Sequence, residues 1–187
     1  GNIKMVYKVK NGGGFMHPYV RLAKKTVENW VKHGKKIQPP SPLPDEFKRR
    51  AGCFVTLYKD GNLRGCIGTI LPVYDNLAEE IIENAIAACS RDPRFYPVEE
   101  WELPHIEYKV DVLSEPVMVK SLDELNPKKY GVIVVSVDNP YKKGVLLPDL
   151  DGVDTVEEQL AIAMAKAGIH RDEPINIYKF TVERYGE

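Results

Sequence analysis

FVTLYKDGNLRGCIGTI, Phe54 to Ile70, decides how the rest of the chain is read. Two β-rich runs flank Asp60-Gly61, a pair that supplies the backbone of a tight two-residue turn, so the stretch from Gly52 to Ile70 predicts a hairpin. Its second strand sets a thiol, Cys66, between Gly65 and Gly68. Free cysteine is among the most buried residue types, and glycine inside a strand marks a bulge or a close backbone approach. The same residues also suit a working thiol at a spot where a substrate comes close. Both readings stand on the residues alone.

Working outward from the hairpin, HPYVRLAKKTVENWVKH repeats Val20, Ala23, Val27, Trp30 and Val31 at helical spacing, with lysines on the other side. QPPSPLP then forbids helix and forms a stiff connection. After the hairpin, DNLAEEIIENAIAACS places Leu77, Ile81, Ala85 and Ala88 on one stripe, with Asn76 as cap and Glu79 three residues on. RDPRFYPVEEWELP, rich in proline and aromatics, predicts a structured crossing. HIEYKVDVL alternates as a half-buried strand. SLDEL is a short capped turn of helix, GVIVVSV an apolar strand, and the chain returns through a DNP turn as GVLLP. TVEEQLAIAMAKAG opens on a Thr155 and Glu158 capping box and closes on Gly168, and INIYKFTVERY reads as one final strand. Strands interspersed with helices, several of them half-buried, give an α+β class with a largely antiparallel sheet and flanking helices. Residues 1–16, ending in NGGGFM, are expected as a flexible tail or linker and 17–187 as the folded domain.

At 187 residues the chain is long enough to bury a full core without disulfides. Cysteines 53, 66 and 89 are odd in number and widely spaced, which fits neither a disulfide framework nor a CxxC metal site and makes a reducing cytoplasm the expected home. No apolar run reaches the roughly 20 residues that span a bilayer, so no membrane association is expected. With a net charge of -1, the whole-chain field of a dedicated nucleic-acid binder is absent, although Lys24, Lys25, Lys32, Lys35, Lys36, Lys48, Arg49 and Arg50 form a basic run. Nucleic-acid contact is therefore disfavoured. Histidines 17, 33, 105 and 170 form no metal-binding pattern, the cysteine triplet of an iron-sulfur site is missing, and no phosphate-cradling glycine motif occurs. Neither metal nor cofactor is expected.

LRGCIGTI, with NAIAACSRDPRFYPV, HIEYKVDVLSEP, GVLLPDL and MAKAGI in this order, resembles the AMMECR domain family, also described as the A component of the AmmeMemoRadiSam system. The resemblance covers nearly everything from His17 onward. It implies one domain of two lobes, the larger containing the RGCIG hairpin, and no established activity. It also implies a setting: a Memo-like protein akin to non-haem dioxygenases and a radical SAM protein as partners, with some bacterial members fused behind the Memo-like part.

Candidate chemistry gathers around the hairpin. On a regular strand Arg64 shares the face of Cys66, where a guanidinium stabilises a thiolate, so Cys66 and Arg64 are the candidate catalytic pair. Gly65 and Gly68 leave room for a substrate. In DPRF, Asp92-Pro93 favours a turn, and Arg94 beside Phe95 and Tyr96 presents a planar donor fork on an aromatic platform for a carboxylate or phosphate. The plainer reading is that Asp92 caps the turn and Arg94 ties it to a nearby carboxylate. If hairpin and DPRF converge, Arg64, Cys66, Asp92 and Arg94 line one polar cleft. Two functions follow: an enzyme or accessory subunit of a modification pathway, or a non-catalytic module that binds protein or RNA through that cleft.

Overall fold

The computed structural model describes residues 4–8 and 15–187, so most of the glycine-rich segment expected as a tail lies outside the described residues. The chain divides into a larger unit, Met5–Leu113 with Glu183–Glu187, and a smaller one, Ser114–Val182. The larger unit contains the hairpin. Each unit has its own sheet, where the sequence pattern suggested one.

In the larger unit the strand order is β1-β9-β4-β2-β3, formed by β1 (Lys4–Lys8), β2 (Cys53–Lys59), β3 (Asn62–Thr69), β4 (Ile106–Leu113) and, at the end of the chain, β9 (Val182–Gly186). Strand β2 pairs antiparallel with both β3 and β4. Helices α1 (Pro18–His33) and α2 (Leu77–Ser90) cover one face. Period and burial agree: Val20, Ala23 and Val27 of α1 and Leu77, Ile81 and Ala85 of α2 are fully buried, against Val55 and Leu57 of β2 and Val110 of β4. Asn76 Oδ1 accepts the Glu79 amide at 2.9 Å and starts α2 as its sequence requires. The crossing after α2 ends in a 3₁₀ turn, Glu100–His105.

The smaller unit orders its strands β5-β8-β6-β7, with β5 (Val117–Met118), β6 (Gly131–Ser136), β7 (Lys143–Leu146) and β8 (Ile175–Phe180). All three pairings are antiparallel. Helix α3 (Val156–Ala167) packs on β6 and β7 and buries Ala163 against Val132 and Val134. Thr155 caps it and Gly168 closes it at φ 68. The stretch read as one last strand, INIYKFTVERY, is two: β8 and β9 are interrupted at Thr181 and belong to different sheets. Alternation carries no mark of a change of sheet when polar-apolar phase is kept through the break.

Candidate functional site

The hairpin turn is as its sequence demands, with Asp60 at φ 50 and Gly61 at φ 81. Its strands, however, are not regular. Leu57 faces Gly65 while Tyr58 faces Leu63, so Arg64 is an extra residue, a β-bulge that breaks the alternation between Arg64 and Cys66. This corrects the shared face expected of the pair. Arg64 turns to Glu102, with Nε and Nη2 donating to the two carboxylate oxygens at 2.9 and 3.0 Å, and Lys59 Nζ adds a third bond at 2.9 Å. Glu102 is buried, and the Arg64 bonds, with those from the Glu99 amide and Lys59, hold its carboxyl down at about 2.

Cys66 instead pairs with Thr56, whose Oγ1 lies 3.2 Å from the sulfur. Burial pushes the thiol up from its ordinary value, opposed by the Thr56 bond, Lys109 and Arg94 and reinforced by Asp111. Neither neighbouring glycine leaves space on its Cβ side: a Cβ on Gly65 would strike the Ala88 carbonyl of α2, and one on Gly68 the Phe54 ring. Cys53 and Cys89 are buried, with thiols pushed up to about 12 chiefly by desolvation.

Strand β3 is one edge of its sheet, and an edge strand exposes alternate N–H and C=O groups. DPRF answers them at Cys66. The Cys66 amide donates to Asp92 Oδ2 at 2.9 Å, and the Cys66 carbonyl accepts from Arg94 Nη2 at 3.3 Å. Asp92 in turn accepts the Arg94 amide at 3.1 Å and the Arg94 guanidinium through Nε and Nη2 at 3.0 and 2.8 Å. The Asp92 side chain is 2 % exposed and that of Arg94 55 %. The Arg94 guanidinium holds the Asp92 carboxyl at about 2, helped by the Cys66 amide. The hairpin and DPRF thus converge, and the carboxylate that Arg94 ties is Asp92 itself.

Above this lock lies a cleft of about 600 Å³ lined by Arg64, Pro93, Arg94, Phe95 and Tyr96. The Phe95 ring has guanidinium carbons at 5.4 Å (Arg94) and 5.9 Å (Arg64) from its centre. Tyr96 is 91 % exposed. Among the described residues Nη1 of Arg64 and Nη1 of Arg94 make no hydrogen bond, so each arginine is fixed by a carboxylate and still has donors to offer. Glu102, which holds Arg64, and Lys59, which shares that carboxylate, were not singled out by sequence; Glu102 lies 38 residues from Arg64, and nothing local marks that pairing. The basic run is dispersed: Lys36 binds Glu83, Lys48 Asp45, Arg49 Glu183, and Arg50 the Tyr74 carbonyl. Among the described residues no three His, Cys, Asp or Glu side chains converge on a metal-sized space, and no helix is long and apolar enough to cross a membrane.

The AMMECR1 family matches residues 20–185. A Thermotoga maritima protein is 59% identical over 172 residues, covering 90% of this chain and 97% of that one. A Clostridium acetobutylicum protein is 51% identical over 172 residues, which are 91% of this chain but 36% of that protein. The crystal structure of an uncharacterized protein from Pyrococcus horikoshii superposes with a TM-score of 0.82 at 35% identity, covering 90% of this chain and 89% of that one.

Proposed function

The chain belongs to the AMMECR1 family, and from that premise we propose that it is a recognition component whose cleft at the RGCIG hairpin binds an anionic group, carboxylate or phosphate, of another molecule. One observation carries the reading: Arg64 and Arg94 are each immobilised by a buried carboxylate, while among the described residues Nη1 of both has no hydrogen bond, beside a cleft of about 600 Å³. A guanidinium already held in place by one carboxylate loses little entropy when its remaining N–H groups bind an anion. Cys66 and Gly65 then form the floor that sets the DPRF loop in place, and Asp92 positions Arg94. In this reading Cys66 is a packing residue, in keeping with a thiol raised by burial, because a catalytic thiol needs the opposite shift.

The setting we propose is the intracellular modification system that the resemblance implies, with a Memo-like protein and a radical SAM protein as partners. The Clostridium acetobutylicum relative supports a component role, since the matched part is 36% of that protein and the remainder is available for other domains. The test is a titration followed by NMR with inorganic phosphate and with succinate. Shifts should concentrate on the guanidinium Nε signals of Arg64 and Arg94 and on the amides of Cys66, Phe95 and Tyr96. An unperturbed cleft, or shifts spread evenly over surface lysines, would reject the reading.

A further inference from the structure

The cleft has a second character besides its arginines. Contacts run from ring to cation along one surface: Lys59 Nζ sits 4.2 Å from the Trp101 ring centre and also binds Glu102, Arg64 binds Glu102 and approaches Phe95, and Arg94 approaches Phe95 from the loop. Trp101 is 62 % exposed and Tyr96 91 %, while Trp101 Nε1 is held by Glu99 at 2.8 Å. Such exposure of two large rings beside donors is unusual for side chains whose only task is packing.

Resting on the anion-binding reading, we infer that the cleft takes a single nucleotide, its phosphate on the Nη1 groups of Arg64 and Arg94 and its base stacked on Tyr96. Three features fit. Base faces stack on aromatic rings with little sequence preference, and the Tyr96 ring is offered to solvent at the cleft wall. A cleft of about 600 Å³ falls in the range of small-molecule sites. The charge balance selects one phosphate over a strand: Arg64 and Lys59 share the buried Glu102 and Arg94 has the buried Asp92, so two carboxylates offset all but one of the three cations. The cleft therefore offers hydrogen-bond donors for one group, without the excess positive field that holds successive phosphates of a polymer.

The probes are inorganic phosphate, adenosine 5′-monophosphate, adenosine and an eight-nucleotide single strand, titrated into the wild-type chain and into Tyr96→Ala, with calorimetry and protein fluorescence as readouts. Tyr96 is so exposed that its removal leaves the core intact. The monophosphate should bind at least about tenfold more tightly than phosphate, and Tyr96→Ala should erase that difference. Tyr96→Phe should restore it. Phosphate and nucleotide binding equally would overturn the inference and leave the anion reading standing. No binding of either would remove both. A strand that binds far more tightly than the mononucleotide, with strong salt dependence, would overturn the single-nucleotide assignment.

Discussion

Two of the edge strands, β3 in the larger unit and β7 in the smaller, solve one problem in two ways. Each carries a glycine pressed under a helix: a Cβ on Gly65 would meet the Ala88 carbonyl of α2, and one on Gly144 the Ala163 carbonyl of α3. In each, the residue after the glycine has its carbonyl capped by a cation, Cys66 by Arg94 at 3.3 Å and Val145 by Lys166 at 2.8 Å. There the likeness ends. At β3 a buried carboxylate, Asp92, also takes the Cys66 amide and grips the arginine, whereas the β7 cap is an exposed lysine. A lysine is sufficient to blunt an edge. The additional carboxylate at β3 does something an edge does not need: it fixes a guanidinium in one orientation, next to the cleft.

The shared feature should give the largest effects. Gly65→Ala and Gly144→Ala each force a methyl against a helix backbone that has no side-chain freedom to yield, and each should cost about 3 kcal/mol in urea unfolding. If one variant is tolerated and the other is not, the likeness of the two edges is superficial.

Next comes the feature that separates them. Asp92→Ala leaves the Cys66 amide and the Arg94 guanidinium without their acceptor, and should cost about 2 to 3 kcal/mol. Hydrogen exchange at Cys66 and Arg94 should quicken with it. Acid should report the same lock. Asp92 and Glu102 fall from 3.8 and 4.5 to about 2 on folding, so their contribution is complete above the unfolded values and drains as pH drops from about 4.5 to 2. A stability curve flat across that window would contradict the lock, and in Asp92→Asn its slope should be reduced.

How much of this was legible beforehand divides along the range of the interaction. Local rules were sufficient for the Asp60-Gly61 turn, for the Asn76 and Thr155 caps and for Gly168, since each is decided within a few residues. The convergence of hairpin and DPRF was conditional in the sequence, because Cys66 and Asp92 are 26 residues apart and only the fold joins them. The bulge at Arg64 was invisible for a different reason: an extra residue shifts the face of what precedes it, and the spacing of Arg64 and Cys66 looks regular with or without it. The division of strands between two sheets was equally silent, as Thr181 carries neither proline nor glycine to announce the break.

The thiols offer a sharper view of the β3 edge. All three sit above their ordinary values through burial, Cys53 and Cys89 at about 12. Alkylation at neutral pH, followed peptide by peptide, should be slow at Cys66 and slower still at Cys53 and Cys89. Rapid labelling of Cys66 with a pKa below that of a free thiol would make it a working nucleophile and demote the cleft to that nucleophile's surroundings.

The smallest expected effect is the most discriminating. Lys166→Ala removes the cap from the Val145 carbonyl, but water replaces an exposed ammonium at little cost, so stability should fall by no more than about 0.5 kcal/mol. The matching loss at β3 differs in kind, because Asp92 and the Cys66 amide are out of water's reach as they stand and their partners are not so replaced. If Lys166→Ala cost as much as Asp92→Ala, both edges would be structural staples of equal weight, and the carboxylate at β3 would need no role in presenting Arg94. A gap of about 2 kcal/mol between the two variants would instead mark the β3 edge as the place where the fold spends stability on orientation, which is what a recognition site requires of its side chains.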